Sequence, residues 1–184
     1  MHGSIGIISQ IVLCSPKYAS RLEGNLIEHL DAQCDNGNWH CRSDKPDFAD
    51  NPESVYYTQI CHGAPGFVLS LIRLRQHFPN LQSRIDGAIK LARQCIWKDG
   101  LLKKEPNLCH GITGNALALD YPQRDHFMSL ATAEKIKAGS EDGTYIMSKD
   151  RYGLQWGESG RAWGWMVLDI NAVEEMGWPA YTDV

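Results

Sequence analysis

No apolar run in the 184 residues approaches the ~20 needed for a membrane-spanning helix; Phe67–Ile72 is among the longest. Clusters of Lys or Arg are also lacking. With a net charge of -4, the positive footprint of a nucleic-acid binder is missing. The opening Met1-His2-Gly3-Ser4 has neither the basic region nor the apolar run of a secretory leader. These absences predict a cytoplasmic protein with no nucleic-acid partner and no transmembrane segment. In such a reducing compartment the six cysteines are expected to be free thiols, apolar filler or metal ligands rather than disulfides. No Cys-x-x-Cys pair occurs, which argues against a closed structural zinc site.

What is present is a repeat. His2-Gly3-Ser4-Ile5-Gly6, His62-Gly63-Ala64-Pro65-Gly66 and His110-Gly111-Ile112-Thr113-Gly114 share one pattern, and Trp156-Gly157-Glu158-Ser159-Gly160 is a degenerate fourth copy. The first glycines of the copies are 60, 48 and 46 residues apart, and two copies follow a cysteine directly. An apolar segment follows each copy, and most are succeeded by an amphipathic one. Leu81, Ile85, Ala88, Ile89, Ala92 and Ile96 fall at helical spacing, with Asn80 as the expected N-cap. Ser20–Cys34 and Asp125–Ala138 carry similar one-sided apolar patterns. Polar, Gly- and Pro-rich stretches at Asp35–Pro52, Lys98–Pro106 and Gly139–Gly153 read as loops. The expected fold is all-α: repeated helical hairpins in a single domain over residues 1–184, beginning near 2, 61, 109 and 156. Glycines at the helix starts suit tight turns and close packing. Packing alone gives no reason for His or Cys-His at the mouth of each inner helix. Hairpins stacked with equivalent ends together would bring those side chains to one place.

Cys61, Cys109 and His110 then form a set of two sulfurs and one imidazole. Zinc favours such donors, and a catalytic zinc keeps three protein ligands and an open fourth position. A single cysteine is more often a buried apolar residue, but equivalent placement in successive repeats favours Zn2+ ligation. A thiol bound at the open position is deprotonated. Cysteine-rich ligation leaves the metal less positive, so that thiolate stays nucleophilic. Cys14, Cys34 and Cys95 read as helix-face packing, and Cys41 as a loop thiol.

At these motifs the chain resembles the lanthionine synthetase C-like (LanC-like) family, in its eukaryotic form. The resemblance rests on Gln59-Ile60-Cys61-His62-Gly63-Ala64-Pro65-Gly66, on Leu108-Cys109-His110-Gly111-Ile112-Thr113-Gly114-Asn115-Ala116, on Met1–Gly6 and on Gly157–Trp163. It implies an α/α toroid of seven hairpins, of which this sequence would supply about four as an N-terminally truncated domain. Apolar surface of the inner helices would then be exposed. It also implies zinc on Cys61, Cys109 and His110 and an acid/base role for His2. The implied reaction adds a thiol, from glutathione or a peptide cysteine, to a dehydroamino acid in a peptide or protein. Lys104 matches a lysine associated with glutathione binding.

Each role has a plainer counterpart. His2 is a general acid/base or simply a terminal residue; His62 donates near the metal or is structural; Lys104 holds a glutathione carboxylate or lies free in a loop. Glu158 and Arg161 are expected to pair with each other or with neighbours, and Trp163 and Trp165 to lie in the core of the last inner helix. Two other functions stand beside the thiol-adding enzyme: a non-catalytic zinc and glutathione-binding module and, well behind, a glycoside hydrolase-like toroid. The latter needs paired carboxylates, and the motif positions supply only Glu158.

Overall fold

The structure, a computed structural model, describes residues 1–40, 57–170, 172–176, 178 and 179; Cys41 and part of the Asp35–Pro52 stretch lie outside them. Among the described residues the regular structure is helical: α1 (Ser4–Cys14), α2 (Ala19–Asp31), α3 (Ala64–Leu74), α4 (Gln82–Asp99), α5 (Ile112–Leu117), α6 (Gln123–Ser129), α7 (Ala133–Glu141), α8 (Glu158–Asp169) and α9 (Val173–Met176). An isolated parallel bridge between Lys104 and Ile146 is the extended pairing found among them. No helix is long and apolar enough to cross a membrane among the described residues.

The helices that follow the four motif copies stand in a row: α1 packs on α3, α3 on α5, and α5 on α8. A second layer lies behind, with α2 on α1, α4 on α3 and α6 on α5. The sequence explains the layering. In α3 every residue from Ala64 to Leu71 is buried, because both neighbours and its own hairpin partner cover it. In α4 burial is confined to Ile85, Ala88, Ile89, Ala92, Cys95 and Ile96, the one-sided stripe of a surface helix. The ends of the row are less covered. Ile7 is 61% exposed on α1, and Ile170, just after α8, is 57% exposed.

Packing at the helix starts depends on glycine. Gly63 has φ 108°, and a Cβ there would stand 1.9 Å from the Tyr57 carbonyl oxygen. The second glycine of each later motif copy meets the backbone six residues earlier. A Cβ on Gly66, Gly114 or Gly160 would lie 2.1, 1.9 and 1.9 Å from the carbonyl oxygens of Ile60, Leu108 and Leu154. One local structure, a loop tucked under the first helical turn, is thus made three times.

Several expectations need correction. Asn80 does not cap α4: Pro79–Leu81 already forms a 3-10 turn, and the helix proper begins at Gln82 with no side-chain cap. Asp125–Ala138 is not one helix. Thr132 leaves helical geometry and its hydroxyl accepts a hydrogen bond from Lys135 N, so α7 starts afresh there. Cys14 does not pack; it is exposed at the end of α1. Trp165 is 40% exposed, although Trp163 does pack against the core. Glu158 and Arg161 pair as expected, with neighbours rather than with each other: Arg161 approaches Glu105 at 4.0 Å, and Glu158 accepts from Arg151 at 3.2 Å.

Candidate metal centre

A backbone ladder aligns the four motif copies. The residue before each His or Trp hydrogen-bonds to its counterpart in the next copy: Met1 N to Cys61 O at 3.4 Å, Cys61 N to Cys109 O at 3.2 Å, and Cys109 N to Gln155 O at 2.9 Å. His2 N also donates to Cys61 O, at 3.2 Å. Although the first glycines differ in φ, 86° and 108° in the first two copies against -114° and -134° in the last two, equivalent backbone groups face each other across neighbouring hairpins. Side chains far apart in sequence therefore emerge side by side.

At the middle of this ladder the ligand atoms of Cys61, Cys109 and His110 all lie within 4.8 Å of one another. That spread is close to the ~4.6 Å spanned by two ~2.3 Å zinc–sulfur bonds, so the group could hold a metal ion. The donor set fits the ion as well as the spacing does: two soft thiols and an imidazole are what zinc selects. Cys61 is buried and Cys109 half-buried.

Two asparagines, which the motif reading passed over, hold the turns that present these ligands. Asn38 Oδ1 accepts from Ala64 N at 2.7 Å and Trp39 N at 2.9 Å, fixing the start of α3 behind the first Cys-His turn. Asn107 Oδ1 accepts from His110 N at 3.0 Å within the second. Asn115 Nδ2 ties α5 to the carbonyls of Thr58 at 2.8 Å and Gly100 at 2.9 Å. Glu105 is 3% exposed; it accepts from Ser148 N at 2.8 Å and faces Arg161, anchoring the loop that carries Lys104. Side-chain-to-backbone bonds of this kind leave little trace in a single sequence, although Asn-Gly, Asn-Trp and Pro-Asn steps in loops are the signal that would have marked them.

The two thiols are unequal. Cys61 donates a hydrogen bond to Cys109, and this bond, helped by hydrogen bonds from His110 and Trp156, holds the Cys109 thiol down to about 4 against the cost of burial. The same bond and burial push the Cys61 thiol up, while Lys104 and the N-terminal ammonium pull it down. The first thiolate of the pair is therefore on Cys109.

The other expected residues gather at the same place. The rings of His2 and His62 meet edge-on with centroids 5.4 Å apart, and Tyr57 lies 6.1 Å from His62. His2 is exposed and His62 half-buried. Lys104 is exposed, yet close enough for its charge to act on Cys61. Trp156 stands with its ring centroid 6.1 Å from that of His110.

Relatives share part of this chain. It is 41% identical over 56 residues to a protein of Danio rerio named glutathione S-transferase LANCL1, a match covering 30% of this chain and 13% of that one. It is 40% identical over 60 residues to LanC-like protein GCL1 of Arabidopsis thaliana, covering 33% and 13%. The matched stretches are thus a small part of each relative's length. The profile for lanthionine synthetase C-like proteins matches residues 2–142, most of the sequence including both Cys-His-Gly motifs, and the chain belongs to that family.

Proposed function

We propose that this LanC-like chain is a zinc-dependent protein that activates a thiol, from glutathione or a peptide cysteine, for addition to a dehydroamino acid. The observation that carries the reading is the approach of Cys61, Cys109 and His110 to within 4.8 Å. Zinc on these residues would keep a substrate thiol as thiolate at neutral pH, with two cysteine ligands preserving its nucleophilicity.

The chain's own residues account for the remaining steps. Addition forms a bond between sulfur and the β-carbon, and the alkene π pair moves toward the α-carbon and its carbonyl. The α-carbon then takes up a proton, which balances the one lost by the thiol. His2, with its ring 5.4 Å from that of His62, is the residue we assign to deliver it. His62, next to a ligand and against Tyr57, steadies His2 and the substrate. Lys104, whose charge already reaches Cys61, is assigned to a carboxylate of glutathione. The name of the Danio rerio relative, a glutathione S-transferase, supports glutathione as the thiol. The row α1, α3, α5 and α8 is read as one arc of an α/α toroid, with the motif turns at its mouth.

Incubation with zinc, glutathione and a dehydroalanine peptide tests the proposal. Thioether product is expected by mass spectrometry and is expected to vanish in Cys109→Ala. Glutathione binding without any thioether would instead favour a non-catalytic binding module, and neither binding nor product would overturn the reading.

A further inference from the structure

The fourth motif copy has tryptophan where the others have histidine, and it lies outside residues 2–142, the stretch matched to the family. Trp156 is nevertheless at the centre. The ladder bond from Cys109 N to Gln155 O, 2.9 Å, sets it beside the third copy. Its ring stands 6.1 Å from the His110 ring at an interplanar angle of 39°, one residue beyond the carbonyl that accepts from Cys109 N. It therefore lies beside two of the three candidate ligands. The side chain is 49% exposed, so the core does not require a large apolar ring here.

We infer that Trp156 is a positioning residue for the metal centre, donating its indole N–H to the Cys109 sulfur while its ring flanks His110. The inference rests on the metal-site reading above. The residue type suits the role. Indole nitrogen carries an N–H and offers no lone pair, so it can donate to a bound thiolate but cannot ligate. A histidine at this place, as in the other copies, would compete for the position that an incoming thiol needs. Tryptophan orients the sulfur, withdraws part of its charge and leaves that position open. Hydrogen bonds to ligating atoms typically change metal affinity by ~10–100-fold.

The test is a titration with cobalt(II), whose thiolate charge-transfer band reports on sulfur bonding. Wild type, Trp156→Phe and Trp165→Phe are compared, with far-UV circular dichroism to verify folding. Phenylalanine at 156 keeps the aromatic ring and removes only the donor. Trp165, 40% exposed on α8, is a control for loss of an exposed tryptophan. In Trp156→Phe we expect a shifted sulfur-to-cobalt band and binding weaker by ~10-fold or more, with Trp165→Phe like wild type. An unchanged band and affinity in a folded Trp156→Phe overturns the inference while leaving the metal site standing. Absence of any sulfur-to-cobalt band in wild type overturns the metal site, and the role of Trp156 with it.

Discussion

The second and third motif copies differ from the first and fourth in what they hang on a shared backbone. Met1, Cys61, Cys109 and Gln155 occupy equivalent rungs of one ladder, linked by N–H-to-carbonyl bonds of 2.9–3.4 Å, the first from the N-terminal ammonium. Only the two middle rungs carry a thiol. Gly66, Gly114 and Gly160 make the same close approach, whether or not a ligand precedes them. The turn is therefore a structural device, shared by the copies that begin α3, α5 and α8. The chemistry is an addition made at two of its copies. Scaffold and site should respond separately to substitution.

The largest effect is expected at the middle rungs. Cys109→Ala should weaken zinc binding by more than the ~100-fold upper range of outer-shell changes, while unfolding behaviour shifts little; competitive chelator titration measures the first. Next is reactivity in zinc-free protein. With its pKa held down to about 4, Cys109 is ionised throughout the neutral range. Its alkylation rate should stay nearly flat between about pH 6 and 8, whereas an ordinary thiol with pKa ~8.5 gains about tenfold per unit there. A steep Cys109 profile, read by peptide mass spectrometry, would show that the donor cluster does not hold the thiolate. The same shift has a sign for stability. The depressed Cys109 pKa stabilises the fold across the neutral range, an effect lost as pH falls through about 4, while above the ordinary thiol range the raised Cys61 thiol opposes it.

Smaller effects test the scaffold half of the comparison. Gly114→Ala and Gly160→Ala each put a Cβ 1.9 Å from a carbonyl oxygen, so both should lose about 1–3 kcal/mol in denaturant unfolding. Only the first adjoins a ligand. Equal losses with metal binding retained in Gly160→Ala would confirm that turn and chemistry are separable; a loss confined to Gly114 would break the comparison. Smallest of all, Gly24→Ala in α2 meets nothing within 4 Å and should stabilise by about 0.5–1 kcal/mol.

Much of this was legible in the residues. The repeated His-Gly-x-x-Gly pattern marked the start of α1, α3 and α5, and its degenerate copy marked α8. Helical spacing picked out Ile85, Ala88, Ile89, Ala92 and Ile96, all buried. Equivalence of Cys61 with Cys109 in the repeat pointed to their meeting. The errors came where a local signal competed with a longer pattern. Thr132 interrupts an apolar periodicity that runs on either side of it, and its hydroxyl cap settled the break between α6 and α7. At Asn80 a preceding proline drew the chain into a 3-10 turn before a cap could form. Trp156 looked like decay of the motif because only its type, and not its neighbours across the ladder, was visible. The supporting roles of Asn38 and Glu105 depend on long-range contacts with no spacing rule, whereas Asn107 acts locally, on an amide three residues on, and the motif reading passed over it.

The account turns most directly on metal content. Elemental analysis of the purified, folded protein should give one equivalent of zinc, removed by Cys61→Ala and restored to wild type after chelation and readdition. A folded wild-type protein that contains no zinc, and takes up none when it is supplied, would contradict the site on which everything else here depends.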